Sequence, residues 1–313
     1  MLSGLSLVQV ALLLVAGVLL DLLLGEAHRW HPLVGFGKLA MLIERLGNRG
    51  QYRIARGLLA WSLAVLPLTA CAAWAIRQCG AGALYGLGVH ALLLYFALGL
   101  RSLREHNLPI AIALERDDLA GARMLTGRIV SRDTLGANPT ELAKASTESL
   151  LENGNDAVFG ALFWFAVAGG PGVLLFRLSN TLDAMWGYRT PRYNLFGRCA
   201  ARIDDVLNYL PARLTALSYV ILADHPRRAW RCWHAQARTW PSPNAGPVMA
   251  SGAGALGLSL GGAAIYEGLA ENRPALGYGI APEADDIRRA WRLVRATTVL
   301  WLCTVALVGA MYA

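Results

Sequence analysis

Five stretches of this chain run for about 18 residues or more without an Asp, Glu, Lys or Arg, and they limit its fold more than any other feature. They are Met1–Leu20, Gly57–Ile76, Gln78–Leu100, Ala157–Phe176 and Ala296–Ala313. As helices, each is long enough to cross the hydrocarbon core of a bilayer, where every backbone polar group must be satisfied inside the segment. A sixth charge-free stretch, Thr239–Tyr266, is rich in Gly, Ala, Ser and Pro and is a weaker candidate. The first stretch has no positive leader and no small-x-small cleavage site, so it reads as an anchor rather than a signal peptide. Only 16% of the 313 residues are charged, whereas soluble domains carry about a quarter. The expected fold is all-α: a polytopic integral membrane protein, one membrane-embedded helical domain over 1–313. Four firm spans fall at about 3–22, 57–76, 80–100 and 296–312.

Charge placement orients those spans. With the N-terminus outside, the loops 25–56, 101–156 and 177–295 face the cytoplasm and hold 6, 7 and 15 Lys/Arg residues. Cytoplasmic loops are enriched in these residues, although long loops obey the rule less strictly. The net charge of +8 is carried almost wholly by arginine, Lys38 and Lys144 being the only lysines. Membrane orientation accounts for that charge, and no nucleic-acid recognition module is visible. Five cysteines without CxxC spacing imply neither a disulfide framework nor a zinc site; they read as small apolar packers.

Gly169, Gly170, Pro171 and Gly172 interrupt Ala157–Phe176, which favours a re-entrant or broken helix over a plain crossing. A pair of crossings, with Thr239–Tyr266 returning, is the alternative. Between spans the expectation is helical: Glu105–Ile129 reads as amphipathic, and Pro139–Asp156 opens on a Pro-Thr-Glu helix start. No strand-like alternation is visible. The polar region over about 101–295 is where chemistry is expected.

Several constellations there could carry it. In ELAKASTESLLENGNDAVFG, Glu148, Glu152 and Asp156 fall at i, i+4 and i+8, one helical stripe of like charges that calls for a cation, a proton or a basic partner. Ser179–Leu214 is the densest polar run, holding Asn180, Asp183, Arg198, Arg202, Asp204, Asp205, Asn208 and Arg213. Clustered hard oxygen ligands suit magnesium held together with substrate phosphates, and forked guanidiniums suit anionic oxygens. Arg132 and Asp133, in RIVSRDTLGANP, form either an ion pair or a site. His28 and His31 flank Trp30, which reads first as an interfacial anchor, with no third metal ligand nearby. In SPNAGPVMASGAGALGLSLGG the small residues permit close helix packing, and Ser242–Gly246 is a candidate substrate-lining loop. The chain has no phosphate-binding GxxxxGK[ST] loop and no GxSxG nucleophile signature.

HPLVGFGKL, GARMLTGRIVSRDT, the long block from Glu148 to Ala216, and SPNAGPVMASGAGALGLSLGG closely resemble the CobD/CbiB family of cobalamin-biosynthesis membrane proteins, the adenosylcobinamide-phosphate synthases. The resemblance runs from about residue 31 to 266. Family members carry an Asp-Pro-type turn where this chain has GEAHRWHP, which leaves His31-Pro32 the better candidate there. The resemblance implies amide formation between the corrin-ring propionate carboxylate of adenosylcobyric acid and (R)-1-amino-2-propanol O-2-phosphate, with ATP as co-substrate and Mg2+ as cofactor. On the matched motifs, Asp183, Asp204 and Asp205 are the expected metal ligands, with Asp183 and Asp205 also counted as catalytic. Glu148 or Glu152 is the expected base. Arg132, Arg202 and Arg213 neutralise phosphate, and His31, Asn153, Asn180, Asn208 and Asn244 complete the substrate-binding set. The corrinoid is expected against Trp186 and Tyr188. Implied partners are membrane lipid and other late cobalamin-pathway membrane enzymes, with no nucleic acid, in the bacterial cytoplasmic membrane with the active region facing the cytoplasm. A transporter or a scaffold for corrinoid intermediates is the alternative.

Overall fold

The computed structural model describes residues 3–26, 31–266 and 268–312. His28 and Trp30 lie outside them. The helices are α1 (Leu7–Leu24), α2 (Pro32–Gly47), α3 (Arg53–Cys79), α4 (Leu84–Ala97), α5 (Leu100–Glu115), α6 (Leu119–Thr126), α7 (Pro139–Gly154), α8 (Gly160–Trp186), α9 (Arg198–Ile221), α10 (Pro226–Gln236), α11 (Ala245–Leu256) and α12 (Ala284–Met311). A π-helical turn, Asn155–Phe159, lies between α7 and α8. Five helical stretches are long and apolar enough to cross a membrane: Leu7–Leu24, Arg53–Cys79, Leu84–Glu115, Pro139–Trp186 and Ala284–Met311. The chain is an all-α, multi-pass membrane protein.

Two of these stretches are interrupted. Leu98 is extended between α4 and α5, and Gly169 inside α8 sits at φ 62°, ψ −151°, outside helical space. A positive φ of this kind is open to glycine and strained for other residues. The break is closed by a side chain, since the backbone N–H of Gly170 donates to His90 Nδ1 at 2.8 Å. The broken helix expected at 157–176 is therefore present. Thr239–Tyr266 is no spanning helix: α11 covers only 12 of its residues before the chain turns into a strand.

By internal packing the chain forms two compact units, each from separated segments. The first comprises residues up to Gly99, Asp156–Asn208 and Leu302 onward; the second comprises Leu100–Asn155 and Tyr209–Trp301. The polar region over 101–295 is thus divided between them. In the first unit, Ala60, Trp61, Ala64 and Val65 on α3, Phe36 and Ala40 on α2, and Leu178, Leu182 and Trp186 on α8 share one core with Phe196 and Ala200. Their spacings of four place each set on one helical face. Lipid tails are as apolar as leucine, so close approach rather than water exclusion drives such packing. Gly57 shows this, because a Cβ there would strike the Phe196 carbonyl oxygen. Trp186 is 1% exposed and packs edge-on against Phe196, so it is a core residue and no wall for a corrinoid.

The second unit is organised around α11, buried along its whole length. Gly252 faces Leu151, and Gly254 faces Ala229 and Cys232, so the small-residue run serves helix packing. An antiparallel hairpin, β1 (Leu260–Tyr266) and β2 (Leu269–Leu276), pairs Leu260 with Leu276 and Tyr266 with Leu269, with an irregularity between Gly261 and Ala263. It corrects the expectation of no strands. LGGAAIY has no apolar–polar alternation to betray a strand, and ladder pairing rather than side-chain pattern holds it. Glu105–Ile129 is likewise two helices, because Asp117 adopts φ 56° between α5 and α6. The helix from Pro139 starts as expected, capped by Asn138 and Glu141 in a reciprocal box. Of the cysteines only Cys232 is buried; Cys71, Cys79 and Cys303 are exposed rather than packed.

Candidate functional site

In the first unit, carboxylates converge from three elements: Asp156 in the π-helical turn, Asp183 near the end of α8 and Asp204 on α9. A π-turn adds a residue to the helical register, so Asp156 departs from the i, i+4, i+8 stripe drawn through Glu148 and Glu152. Asp204 is 7% exposed. Its Oδ2 accepts from Asn208 Nδ2 at 3.1 Å, one helical turn on, and Asn180 on α8 also donates to it. Its Oδ1 is buried with no hydrogen-bond partner. Burial, and then the charges of Asp156 and Asp183, hold the Asp204 carboxyl well above the ordinary carboxylate range, against the two amide bonds. Asp205, its sequence neighbour, is raised by burial while Arg202 and Arg189 oppose the shift. Gly187 leaves room beside Asp183, whose carboxyl a Cβ there would strike.

His31 caps α2, its Nδ1 accepting from the Leu33 N–H at 3.2 Å, with its ring edge-on to Phe96. Burial lowers its pKa; the nearby Glu26 charge opposes this and the Arg177 charge adds to it. On the same α2 face as Phe36 and Ala40, Glu44 is gripped by Arg192 at 3.1 and 2.6 Å and by Asn48 at 2.6 Å. The Arg192 hydrogen bond holds that carboxyl below its ordinary range.

In the second unit the polar centre is a buried carboxylate among cations. Glu148, 2% exposed on α7, receives Arg132 Nη2 at 2.5 Å, Arg273 Nη1 at 3.1 Å and the Gly261 N–H at 2.7 Å. Lys144 Nζ donates to the Gly261 carbonyl at 3.1 Å. Asp133 does not pair with Arg132; its carboxylate accepts the Gly268 N–H at 2.7 Å. These contacts bind the hairpin to α7 and to the loop before it. Arg213 donates to Asn244 Oδ1 at 2.8 Å, Pro243 O at 3.0 Å and Tyr209 O at 3.0 Å, and stacks over the Tyr209 ring. Asn153 donates to Ser149 Oγ at 3.0 Å, and Glu152 is half-buried with bonding partners of its own.

The structure therefore brings Asn180, Asp183, Asp204 and Asn208 together, with Asp205 and Arg202 beside them, and adds Asp156. Glu148, Arg132, Arg213 and Asn244 belong to the second unit, where protein partners already engage them. Arg273 was missed by sequence reasoning, because its partner Glu148 lies 125 residues away. Arg177 was missed too. Among the described residues no three His, Cys, Asp or Glu side chains are grouped to hold a metal by themselves. Asp204 Oδ1, unpartnered among further carboxylates, fits a hard divalent cation whose other ligands are water and substrate phosphate, the usual manner for magnesium.

A family model described as CobD/Cbib protein matches residues 14–294. The chain is 55% identical over 309 residues to the cobalamin biosynthesis protein CobD of Stutzerimonas stutzeri, covering 97% of this chain and 100% of that one. It is 52% identical over 314 residues to CobD of Chromobacterium violaceum, covering 97% and 99%. To CobD of Mycobacterium tuberculosis it is 40% identical over 287 residues, 89% of each chain. No solved structure matches.

Proposed function

The chain belongs to the CobD/CbiB protein family, and from that premise we propose that it is a cobalamin-biosynthesis enzyme joining adenosylcobyric acid to (R)-1-amino-2-propanol O-2-phosphate through an amide bond. A carboxylate is a poor acyl donor. Transfer of the ATP γ-phosphoryl group to it releases ADP and leaves a mixed anhydride. The ammonium gives up a proton, the free amine attacks the carbonyl carbon, the C–O bond to phosphate breaks, and inorganic phosphate departs with the second proton lost from nitrogen. Magnesium, when bound at Asp204 and Asp183, supplies positive charge against the phosphate oxygens.

The observation that carries this assignment is the unpartnered, buried Asp204 oxygen within a set of three carboxylates. Such a cluster is costly unless a cation joins it. Asn180 and Asn208 hold Asp204 in place with neutral donors, which leaves its charge uncompensated for a ligand. Arg202, exposed beside Asp205 at the edge of the cluster, can meet phosphate. Both Glu148 oxygens already accept bonds, from Arg132, Arg273 and the Gly261 N–H, so Glu148 positions the two guanidiniums rather than serving as the base. With ATP as co-substrate, the active region faces the cytoplasm.

The test is direct. Purified chain in nanodiscs, given both substrates, ATP and Mg2+, should yield adenosylcobinamide phosphate by mass spectrometry, and omitting ATP or Mg2+ should abolish it. Absence of product from folded protein that binds the corrinoid would defeat the reading. The helix break at Gly169 favours a transporter as the second reading, since discontinuous helices line transport sites. Corrinoid uptake into vesicles without covalent change would support that instead.

A further inference from the structure

Every other buried or half-buried arginine described above has an acceptor. Arg132 and Arg273 share Glu148, and Arg213 holds Asn244. Arg177 on α8 is different. It lies inside the apolar stretch Pro139–Trp186, is half-buried, and its Nε is buried with no hydrogen-bond partner. Among the described residues its guanidinium makes no ion pair or hydrogen bond. Glu26 and Asp156 are the carboxylates whose charges reach it, from beyond contact distance. Its backbone is ordinary helix, with Thr181 Oγ1 donating to its carbonyl at 2.8 Å. Only Nε is buried, so an anion can reach the two Nη atoms, and an arginine in a membrane helix ordinarily faces a ligand or an aqueous path.

We propose that Arg177 is the anchor for the phosphate of the aminoalkyl phosphate substrate. The inference rests on the reaction proposed above and adds the subsite that recognises the phosphomonoester. Arg177, Asn180 and Asp183 lie within two turns of α8, and the Asp156 charge acts on both Arg177 and Asp204, so a guanidinium and a carboxylate cluster stand near one another within a single unit. That is the complement of a zwitterion with an ammonium at one end and a phosphate at the other. A guanidinium offers forked donors that match phosphate oxygens, and an ammonium is met by carboxylates. His31 is close enough to feel the Arg177 charge. A phosphate could also be presented by ATP, and the experiment must tell the two apart.

Ligand-induced shifts in thermal unfolding, with the full chain in nanodiscs, provide the test. Wild type should gain stability with aminopropanol phosphate, much less with unphosphorylated aminopropanol, and separately with ATP and Mg2+. In Arg177→Met the aminopropanol phosphate shift should vanish and the ATP shift should remain. The ligand-free melting temperature should not fall, because the residue removed had no partner. Arg177→Lys keeps the charge without the fork; it should fold normally and raise the KM for the phosphorylated amine by about tenfold, leaving the KM for ATP unchanged. A retained aminopropanol phosphate shift in Arg177→Met overturns the proposal, as does loss of the ATP shift alone or equal wild-type shifts for the two amines. A ligand-free Arg177→Met that unfolds at markedly lower temperature, joined to an unaltered KM in Arg177→Lys, overturns it in favour of a structural role. The two claims fail separately. No amide product together with an Arg177-dependent phosphate shift removes the reaction and keeps the subsite; amide product with an Arg177-independent shift does the reverse.

Discussion

Asp204 and Glu148 are both buried carboxylates, and their surroundings set them opposite tasks. Glu148 is matched by two guanidiniums and a backbone N–H, whereas one oxygen of Asp204 has no partner and its charged neighbours are carboxylates. We predict that Glu148→Gln destabilises the chain by about 3–5 kcal/mol, the ordinary result of breaking a buried ion pair, seen as a lower unfolding temperature. Asp204→Asn should do the reverse in ligand-free protein, raising stability by about 1–3 kcal/mol, while amide formation falls by roughly 100-fold or more. If both substitutions destabilise equally, Asp204 is a structural residue. Glu44 supplies a pH signature. Its carboxyl titrates below the usual range because Arg192 binds its charged form, so its stabilising contribution is present above the unfolded-state pKa and is lost as pH falls through the folded-state value. Glu44→Gln should flatten that acid limb of the unfolding-temperature profile; an unchanged limb would remove Glu44 as its source. At this scale the acidic run was legible because Asp183, Asp204 and Asp205 crowd into one polar segment. Arg177 was not, because whether an arginine has an acceptor depends on which helices surround it.

Helix α8 shows how an element can be read in part. Gly169-Gly170-Pro171-Gly172 announced a break, and the break is there, but its closure by His90, 80 residues earlier, needed the fold. A Cβ at Gly169 would approach His90 Cε1 to 2.6 Å and Ser3 Cβ to 2.8 Å, and the residue's φ is strained for any side chain. We therefore expect Gly169→Ala to cost on the order of 1–3 kcal/mol, measured as a drop in unfolding temperature. A neutral result would mean that the segment adopts an unbroken helix. The capped start of α7 was legible from its Pro-Thr-Glu signature. The hairpin was not, since a Gly- and Ala-rich strand carries no period, and Arg273 on β2 went unnoticed with it.

For the molecule as a whole, hydropathy was sufficient to read an all-α membrane protein, because the bilayer allows few other solutions. The division into two units was not readable, since each is assembled from segments far apart in sequence. The arginine distribution predicts that α10 faces the cytoplasm. A cysteine replacing the exposed Arg231, in a background without the native cysteines, should be labelled by an impermeant maleimide in inside-out vesicles and protected in right-side-out ones. The reverse pattern would invert the topology. The central claim is that a corrinoid carboxylate is activated by ATP and captured by an amine, and oxygen tracing tests it most directly. Adenosylcobyric acid carrying 18O in its reacting carboxylate should transfer one labelled oxygen to the inorganic phosphate released for each amide formed. Amide formation with unlabelled phosphate would contradict the account.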